Sequence, residues 1–283
     1  MPELPEVETV RRGIEPVCLN ATISHIEIRR PDLRWPFPRD MAQRLDGAKI
    51  TNLRRRSKYL LLDTDRGDVW LIHLGMSGRL TVSGAAMPDF HHQIGQLEKH
   101  DHVFVGFGSG HTMTYNDPRR FGAMDVFKAE EEEQHFLIKS LGPEPLGNAF
   151  DAEILARKLK GKTASIKSAL LDQRIVSGLG NIYVCEALWR AGIHPTRAAG
   201  KISKPRLEDL VRHIRDVLQD AIAAGGSSLN DYRQADGALG YFQHRFAVYD
   251  QEGKACQKPS CTGQIKRIMQ NARSSYYCSK CQR

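Results

Sequence analysis

The residues best suited to metal chemistry lie near the carboxyl end of the chain. Cys256 and Cys261 are separated by four residues, Cys278 and Cys281 by two, and sixteen residues lie between the pairs. Two close pairs at this distance suit a tetrahedral zinc site of four thiolates on a small β-hairpin. Two disulfides or four unrelated thiols are the alternatives, and a chain without an evident export signal disfavours disulfides. We therefore expect one structural zinc ion, because four thiolates leave no coordination position for a substrate.

The amino end offers a different reactive group. Removal of Met1 would leave Pro2 with a secondary amine, and an α-amino group has a pKa of about 8, so a useful fraction is unprotonated at neutral pH. Such an amine can attack a sugar aldehyde carbon and form a cationic iminium ion that permits elimination at neighbouring carbons. Glu3 beside it could donate and accept protons. The dipeptide is too common in proteins to indicate this chemistry without further support.

Composition narrows the class of protein. The 283 residues are 41% hydrophobic and carry a formal net charge of +8, which excludes a disordered tail, a miniprotein and a collagen-like chain. The length predicts two domains, each large enough to bury a core. No apolar stretch approaches the ~18 residues of a membrane span, and the first residues lack the pattern of a signal peptide. We expect a soluble, cytoplasmic protein.

The excess charge is concentrated at the end of the chain. Residues 254–283 contain seven Lys or Arg residues and no acidic residue. A cationic tail of this kind usually binds a polyanion, although a solvated basic tail is the alternative. The four cysteines inside it favour an ordered structure.

Up to about residue 135 the pattern predicts one helix followed by strands. The helix should run from Pro5 to Glu15 and end at Pro16. Asp65-Arg66-Gly67 and Gly108-Ser109-Gly110 are typical of hairpin turns, so this half predicts a β-sandwich or a barrel. The predicted strands are Ile23–Arg29, Lys58–Asp63, Val69–Leu74, His102–Phe107, Thr112–Tyr115 and Ala123–Phe127.

The pattern then becomes helical. After a linker at 136–150, helices are predicted at 151–160, 165–173 and 182–191, and a further apolar stripe follows Ser203. Residues 225–242 form a glycine-rich polar segment, and such long loops are usually disordered or functional.

Four blocks together resemble bacterial formamidopyrimidine-DNA glycosylase, the bifunctional base-excision enzyme for oxidised purines. They are Met1–Thr9, Asp117–Gly122, Gly178–Tyr183 and the four-cysteine segment, in the same order and across nearly the whole chain. The resemblance implies an α+β multidomain fold. Its parts would be an N-terminal β-sandwich with a leading helix (1–135), a linker (136–150), a helix-two-turn-helix domain with a lesion loop (151–245) and a zinc finger (246–283).

The resemblance also implies an activity. A monomer would remove 8-oxoguanine or formamidopyrimidines from double-stranded DNA, or act at abasic sites, through a Schiff base on Pro2. It would then cleave the strand by β,δ-elimination, as an apurinic or apyrimidinic site lyase, with no nucleotide cofactor and no membrane. Glu3 would assist opening of the sugar ring, and Lys58 would contact the phosphate of the lesion and assist catalysis.

Further residues match DNA contacts of that family. Asn181, which alone would read as a helix cap, and Arg273 would bind the DNA backbone, with His73 as a further candidate. An enzyme that extrudes a base must fill the gap, and the resemblance assigns Met76, Arg119 and Phe121 to that role. The segment 225–242 would close over the everted base, with Tyr241 as a candidate contact.

Two other functions remain open. One is a sister enzyme of the endonuclease VIII type, which prefers oxidised pyrimidines, although Leu4-Pro5 and Arg119-Arg120-Phe121 favour the purine enzyme. The other is a non-catalytic zinc-finger protein that binds damaged DNA. Two departures from the family pattern are the four-residue spacing of the first cysteine pair, where two are expected, and an apparent insertion at 83–99.

Overall fold

The computed structural model describes residues 2–84, 98–227 and 240–283. Met1, most of the apparent insertion at 83–99 and the centre of the segment 225–242 lie outside these residues. Two compact units make up the chain: Met1–Lys139 with Ala224–Tyr241, and Ser140–Ala223 with Phe242–Arg283. The finer domain boundaries given above stay predictions.

The first unit begins with helix α1, Leu4–Cys18. The prediction that Pro16 ends this helix is wrong, because Pro16 lies inside it and the next turn continues to Cys18. Ile14 and Cys18 are four residues apart and both fully buried, so burial of one helix face offsets the backbone hydrogen bond that proline cannot donate. Cys18 is thus a buried thiol, and burial raises its pKa to about 12.

Strands follow α1, with one short helix, α2 (Met41–Leu45), between the first two. The strands are β1 Ile23–Ile28, β2 Ile50–Arg56, β3 Tyr59–Thr64, β4 Asp68–His73, β5 Arg79–Ser83, β6 Asp101–Phe107, β7 Thr112–Asn116 and β8 Ala123–Lys128. A 3-10 turn, Ala129–Gln134, covers the acidic run after β8. Both predicted hairpin turns are confirmed, since they join β3 to β4 and β6 to β7.

Within the described residues these strands form two antiparallel sheets, in the orders β1-β6-β7-β5 and β2-β3-β4-β8. Side chains from both sheets and from α1, among them Val10, Trp70 and Tyr115, share one hydrophobic core. Two sheets that bury their inner faces against each other make a β-sandwich. The sandwich is therefore observed, and not a barrel.

Strand β2 is absent from the predicted strands because it carries Arg54, Arg55 and Arg56. Three consecutive arginines would suggest a general basic face, but two of them have acidic partners. Arg54 Nε donates to Asp63 Oδ2 at 2.7 Å and its Nη2 donates to Glu132 at 2.8 Å, while Arg55 Nε lies 3.4 Å from Glu8. Acidic partners therefore neutralise Arg54 and Arg55 within the unit.

The second unit is helical up to its terminal hairpin. Its helices are α3 Ala152–Leu159, α4 Ile166–Leu171, α5 Asn181–Arg190 and α6 Lys204–Ala223, with 3-10 turns at Ala199–Lys201 and Phe242–Arg245. The apolar stripe predicted for α6 is confirmed, since Leu207, Ile214 and Leu218 are buried. Among the described helices none is long and apolar enough to cross a membrane.

The terminal hairpin consists of β9, Ile265–Gln270, and β10, Arg273–Cys278. It packs on α5 through a small core that includes Cys185, Val248 and Tyr276. One turn of chain is fixed to α5 by the buried Glu186, whose carboxylate accepts the consecutive N–H groups of Ala247, Val248 and Tyr249 at 3.1, 3.0 and 2.8 Å. The hairpin is therefore held on α5 by apolar contacts, and the segment before it by hydrogen bonds to Glu186.

Candidate active site and nucleic-acid interface

Pro2 and Glu3 lie at the start of α1. Pro2 is buried and Glu3 is 3% exposed. Glu3 is the N-cap residue, and its N–H donates to the carboxylate of Glu6 at 2.8 Å. An acidic side chain at the third position of a helix favours this bond, because its carboxylate accepts the hydrogen bond of a backbone N–H that has no partner in the helix. The dipeptide is therefore held in one conformation by its own helix.

Glu6 is a residue that the sequence analysis missed. It is 2% exposed, and its second carboxylate oxygen accepts the N–H of Ser227 at 2.8 Å. A Cβ on Gly226, which has a φ of +79°, would lie 3.2 Å from the Glu6 side chain. One carboxylate thus joins the start of α1 to the first residues of the glycine-rich segment 225–242. The spacing Glu3–Glu6 is a capping signal that can be read in the sequence, but the distant partner cannot.

Tyr241 lies at the other end of that segment. Its N–H donates to the carbonyl oxygen of Ala224 at 3.0 Å, and it forms an isolated β-bridge with Ser227. The two ends of the segment are thereby paired next to Glu6. The Tyr241 side chain is 65% exposed, so its ring is accessible to a ligand.

Lys58 occupies the turn between β2 and β3 and is 6% exposed. Strand β2 packs on α1, since Arg11 donates to the Leu53 carbonyl at 3.2 Å and Arg55 lies 3.4 Å from Glu8. The earlier residue of α1 contacts the later residue of β2, so the two elements run antiparallel, and the start of α1 lies towards the Lys58 end of β2. The predicted nucleophile and the predicted catalytic cation lie at the same end of the helix–strand interface.

His73 is the last residue of β4 and pairs with Tyr59 on β3, with ring centroids 4.9 Å apart. Burial, together with the positive charges of Lys58 and Arg34, lowers the pKa of His73 to about 4. The imidazole is therefore neutral at physiological pH. Its Nδ1 accepts the N–H of Gly75 at 3.1 Å, which assigns the proton to Nε2 and makes that atom a donor.

Met76, Arg119 and Phe121, which are predicted to fill the gap of an extruded base and are called the wedge below, lie on two loops of the first unit. Met76 is 38% exposed and follows β4, while Phe121 is 43% exposed and precedes β8. Arg119 is also exposed, and its guanidinium carbon lies 4.9 Å from the centroid of the Phe121 ring. An apolar tip on one loop and a cation with an aromatic ring on the other are thus both presented to solvent.

Asn181 and Arg273 come together in the second unit. Asn181 is the first residue of α5, with Gly180 as the N-cap, so the reading of Asn181 as a helix cap is wrong. Its side-chain amide instead donates to the carbonyl oxygen of Ser274 at 3.0 Å. Ser274 follows Arg273, the exposed first residue of β10. Asn181 and Arg273, the two residues predicted to bind the DNA backbone, are therefore neighbours.

Lys167 supports the same peptide and was missed by the sequence analysis. It is 1% exposed on α4, and its Nζ donates to the Ser274 carbonyl at 2.7 Å and to Ser275 Oγ at 2.6 Å. A lysine among apolar helix residues gives no sign in the sequence of a partner more than a hundred positions away. Its ammonium group fixes the strand that presents Arg273.

The sulfur atoms of Cys256, Cys261, Cys278 and Cys281 all lie within 4.8 Å of one another. This group could hold a metal ion, and the predicted hairpin between the pairs is confirmed. N–H groups of Cys281 and Lys280 outweigh the opposing effect of burial and lower the pKa of Cys278 to about 7. A Cβ on Gly263 would lie 2.6 Å from the Cys278 sulfur. The longer first spacing therefore still closes the group around one centre.

Comparison with known proteins agrees with this geometry. Residues 1–124 match the formamidopyrimidine-DNA glycosylase N-terminal domain, and residues 141–233 match the H2TH domain of the same family. The formamidopyrimidine-DNA glycosylase of Jannaschia sp. (strain CCS1) is 60% identical over 283 residues, which cover 100% of both chains.

Solved structures give the same result. A mutant FPG of Lactococcus lactis, in complex with DNA containing Fapy-dG, has 34% identity and a TM-score of 0.88 over 100% of both chains. The MutM (FPG) protein of Thermus thermophilus has 35% identity and a TM-score of 0.86, covering 99% of this chain and 98% of that one. The predicted fold class and enzyme class are thereby confirmed. With two domain matches in order and a full-length relative at this identity, the chain belongs to the formamidopyrimidine-DNA glycosylase family, whose members repair oxidised purines in DNA.

Proposed function

We propose that this chain excises 8-oxoguanine and formamidopyrimidines from double-stranded DNA with Pro2 as the nucleophile and then cleaves the strand. The observation that carries the proposal is the buried Pro2-Glu3 pair, which Glu6 holds at the start of α1. A nucleophile fixed in one position loses little conformational freedom on reaction, which lowers the barrier.

The chemistry follows from a secondary amine. After removal of Met1, the nitrogen of Pro2 attacks C1′ of the damaged nucleotide and the N-glycosidic bond breaks, so that the base leaves. The C1′–O4′ bond then opens, with a proton from Glu3 to O4′, and gives an iminium ion that withdraws electrons and allows loss of the 3′ phosphate and then of the 5′ phosphate. Glu3 moves protons at the sugar, and the nearby Lys58 ammonium stabilises the phosphate charge.

Both units of the protein carry hydrogen-bond donors for the DNA backbone. In the second unit the Asn181 amide carries a second N–H beyond the one given to Ser274, and Arg273 offers a planar guanidinium for a phosphate. In the first unit Nε2 of His73 donates as a neutral group. Met76, Arg119 and Phe121 fill the space of the extruded base, while Tyr241 contacts the everted lesion.

We also propose that the four cysteines bind one zinc ion. With a Zn–S distance of about 2.3 Å, a regular tetrahedron requires sulfur atoms about 3.8 Å apart. The pairs Cys256–Cys281 and Cys261–Cys278 are 3.8 and 3.6 Å apart, and all four sulfur atoms lie within 4.8 Å of one another, so two of the spacings already match this tetrahedron. The metal would hold the hairpin that carries Arg273 and take no part in the reaction. The protein would work as a monomer in the bacterial cytoplasm, where its DNA substrate lies.

Borohydride trapping tests the proposal. The protein is incubated with a duplex carrying one 8-oxoguanine opposite cytosine, and any crosslink is mapped by mass spectrometry. A parallel duplex carries dihydrouracil, and a sample acetylated at the amino terminus serves as the matched control. We expect a crosslink at Pro2 that is stronger on 8-oxoguanine and is lost on acetylation.

Other outcomes are equally informative. A crosslink or lyase activity that survives acetylation contradicts Pro2 as the nucleophile. Stronger trapping on dihydrouracil contradicts the substrate class. Intact DNA binding without trapping on either duplex would contradict the proposed enzymatic activity and leave a damaged-DNA-binding protein.

A further inference from the structure

The two loops that carry the exposed side chains Met76, Arg119 and Phe121 cross between the sheets side by side. The first runs from β4 to β5 and the second from β7 to β8. β4 pairs with β8 in one sheet, and β5 pairs with β7 in the other. The two loops therefore have neighbouring ends in both sheets. This topology makes a direct contact between the loops possible over their whole length.

A buried carboxylate lies where the loops meet. Asp117 is 0% exposed and accepts the hydroxyl of Ser77, from the other loop, at 2.6 Å. Its second oxygen accepts the N–H of Gly122 at 2.8 Å. The hydroxyl of Tyr115 lies 3.4 Å from that oxygen and 3.2 Å from the carbonyl oxygen of His73. A carboxylate out of water requires such donors, since a buried charge without them is strongly unfavourable.

The network also fixes the residues on either side of it. Ser77 is 5% exposed, and its Oγ accepts the N–H of Arg119 at 3.2 Å. Ser77 directly follows Met76, while Gly122 directly follows Phe121. Each of the three exposed side chains is therefore attached to backbone that Asp117 or Ser77 holds.

The glycines show how closely the loops approach. A Cβ on Gly75 would lie 2.4 Å from the nitrogen of Gly122, and Gly75 has a φ of +63°. A Cβ on Gly122 would lie 1.8 Å from the Tyr115 hydroxyl. Side chains at these positions would collide with the other loop or with the network, so the loops contact each other through their backbones.

We propose that Asp117, Ser77 and Tyr115 are positioning residues that lock Met76, Arg119 and Phe121 into the arrangement that enters the duplex. The proposal rests on the function proposed above, in which these three side chains replace the extruded base. None of the positioning residues needs to touch the sugar or the lesion. Their effect is that the wedge is ordered before binding, so that insertion does not have to order it.

The test removes the link between the loops and measures base extrusion. Ser77→Ala deletes the hydroxyl that joins Asp117 to the Arg119 amide and leaves both groups without that partner. We expect single-turnover excision of 8-oxoguanine from duplex DNA to slow by roughly tenfold, the size expected for loss of a buried polar link. Cleavage of a preformed abasic site should slow much less, since no base has to be unstacked there. Ser109→Ala, in the turn before β7, is the matched control and should behave as wild type.

A double-mutant cycle separates positioning from general damage to the fold. In a background that removes all three wedge side chains (Met76→Ala, Arg119→Ala and Phe121→Ala), Ser77→Ala should cause little further loss, because there is no wedge left to position. The fluorescence of 2-aminopurine opposite the lesion should report less insertion in the Ser77→Ala protein. Asp117→Asn, which keeps the shape but places an N–H₂ group against a donor, should reproduce these effects, with thermal unfolding measured in parallel.

The outcomes distinguish this proposal from the proposed function. If the wild-type protein excises 8-oxoguanine and Phe121→Ala is impaired, yet Ser77→Ala equals wild type on both substrates, the positioning role is refuted. Equal losses in the wild-type and wedge-deleted backgrounds would also overturn it. If the wild-type protein itself does not act on the duplex, the proposed function fails first, and the positioning role falls with it.

Discussion

His73 should make the stability of the protein depend on pH. Burial, with the charges of Lys58 and Arg34, lowers the pKa of His73 to about 4 in the folded state, whereas the unfolded chain has a histidine pKa of about 6.5. Below the unfolded pKa the unfolded state binds a proton that the folded state does not. The contribution to stability is therefore complete above pH ~6.5 and is lost as the pH falls towards ~4. Between about pH 7.5 and about pH 5 the free energy of unfolding should fall by roughly 2 kcal/mol, an upper value for a half-buried ring.

His73→Asn isolates this contribution. Asparagine presents an acceptor where Nδ1 accepts the Gly75 N–H, but it does not titrate. Urea denaturation of both proteins across this pH range should give curves that converge at low pH, with the wild type losing more stability than the variant. His25→Asn, at an exposed position of β1, controls for the substitution and should follow the wild type. Parallel curves for the wild type and His73→Asn would refute the reasoning.

Three further predictions concern the contacts that hold the site. Glu6→Gln replaces one of the two acceptor oxygens by an NH₂ donor, which then faces a backbone N–H. The free energy of unfolding should therefore fall by about 2 kcal/mol in urea denaturation, and an unchanged midpoint would contradict this. Arg273→Ala should weaken duplex binding equally for all lesions and reduce the slope of log K against log salt by about 1. Arg267→Ala, which removes the same charge from β9, should change binding less, and equal effects would contradict a specific contact. Cys278→Ala should lose the bound zinc and DNA affinity, whereas Cys18→Ala should keep both by metal analysis; full zinc content in Cys278→Ala would exclude the proposed site.

Local signals in the sequence predicted the elements that depend on neighbouring residues. Periodicity or turn chemistry within a few positions predicts the start of helix α1, the two glycine-containing hairpin turns and the apolar stripe of α6. The spacing of the four cysteines identified a group that could bind a metal ion, because thiolate spacing is itself a geometric requirement. The roles of Pro2, Glu3 and Arg273 came from the resemblance to a family and stay predictions.

Contacts between distant residues could not be read in this way. Helix α1 continues beyond Pro16 because Cys18 is buried in the core of the sandwich. Strand β2 was not predicted because it is rich in arginine. Arg54 and Arg55 are neutralised there by Asp63, Glu132 and Glu8, and only Asp63 is on the adjacent strand. Here tertiary packing outweighed local preference.

The sequence by itself determined which groups can react, bind metal or carry charge, since these are properties of side-chain type and local spacing. Only the tertiary structure decided which buried polar groups hold them in place. Glu6 reaches Ser227, Lys167 reaches Ser274 and Ser77 reaches Asp117. The physical reason is that a buried charge needs a partner but can take it from any part of the chain that folding brings within hydrogen-bond distance, so sequence separation carries no information about the choice.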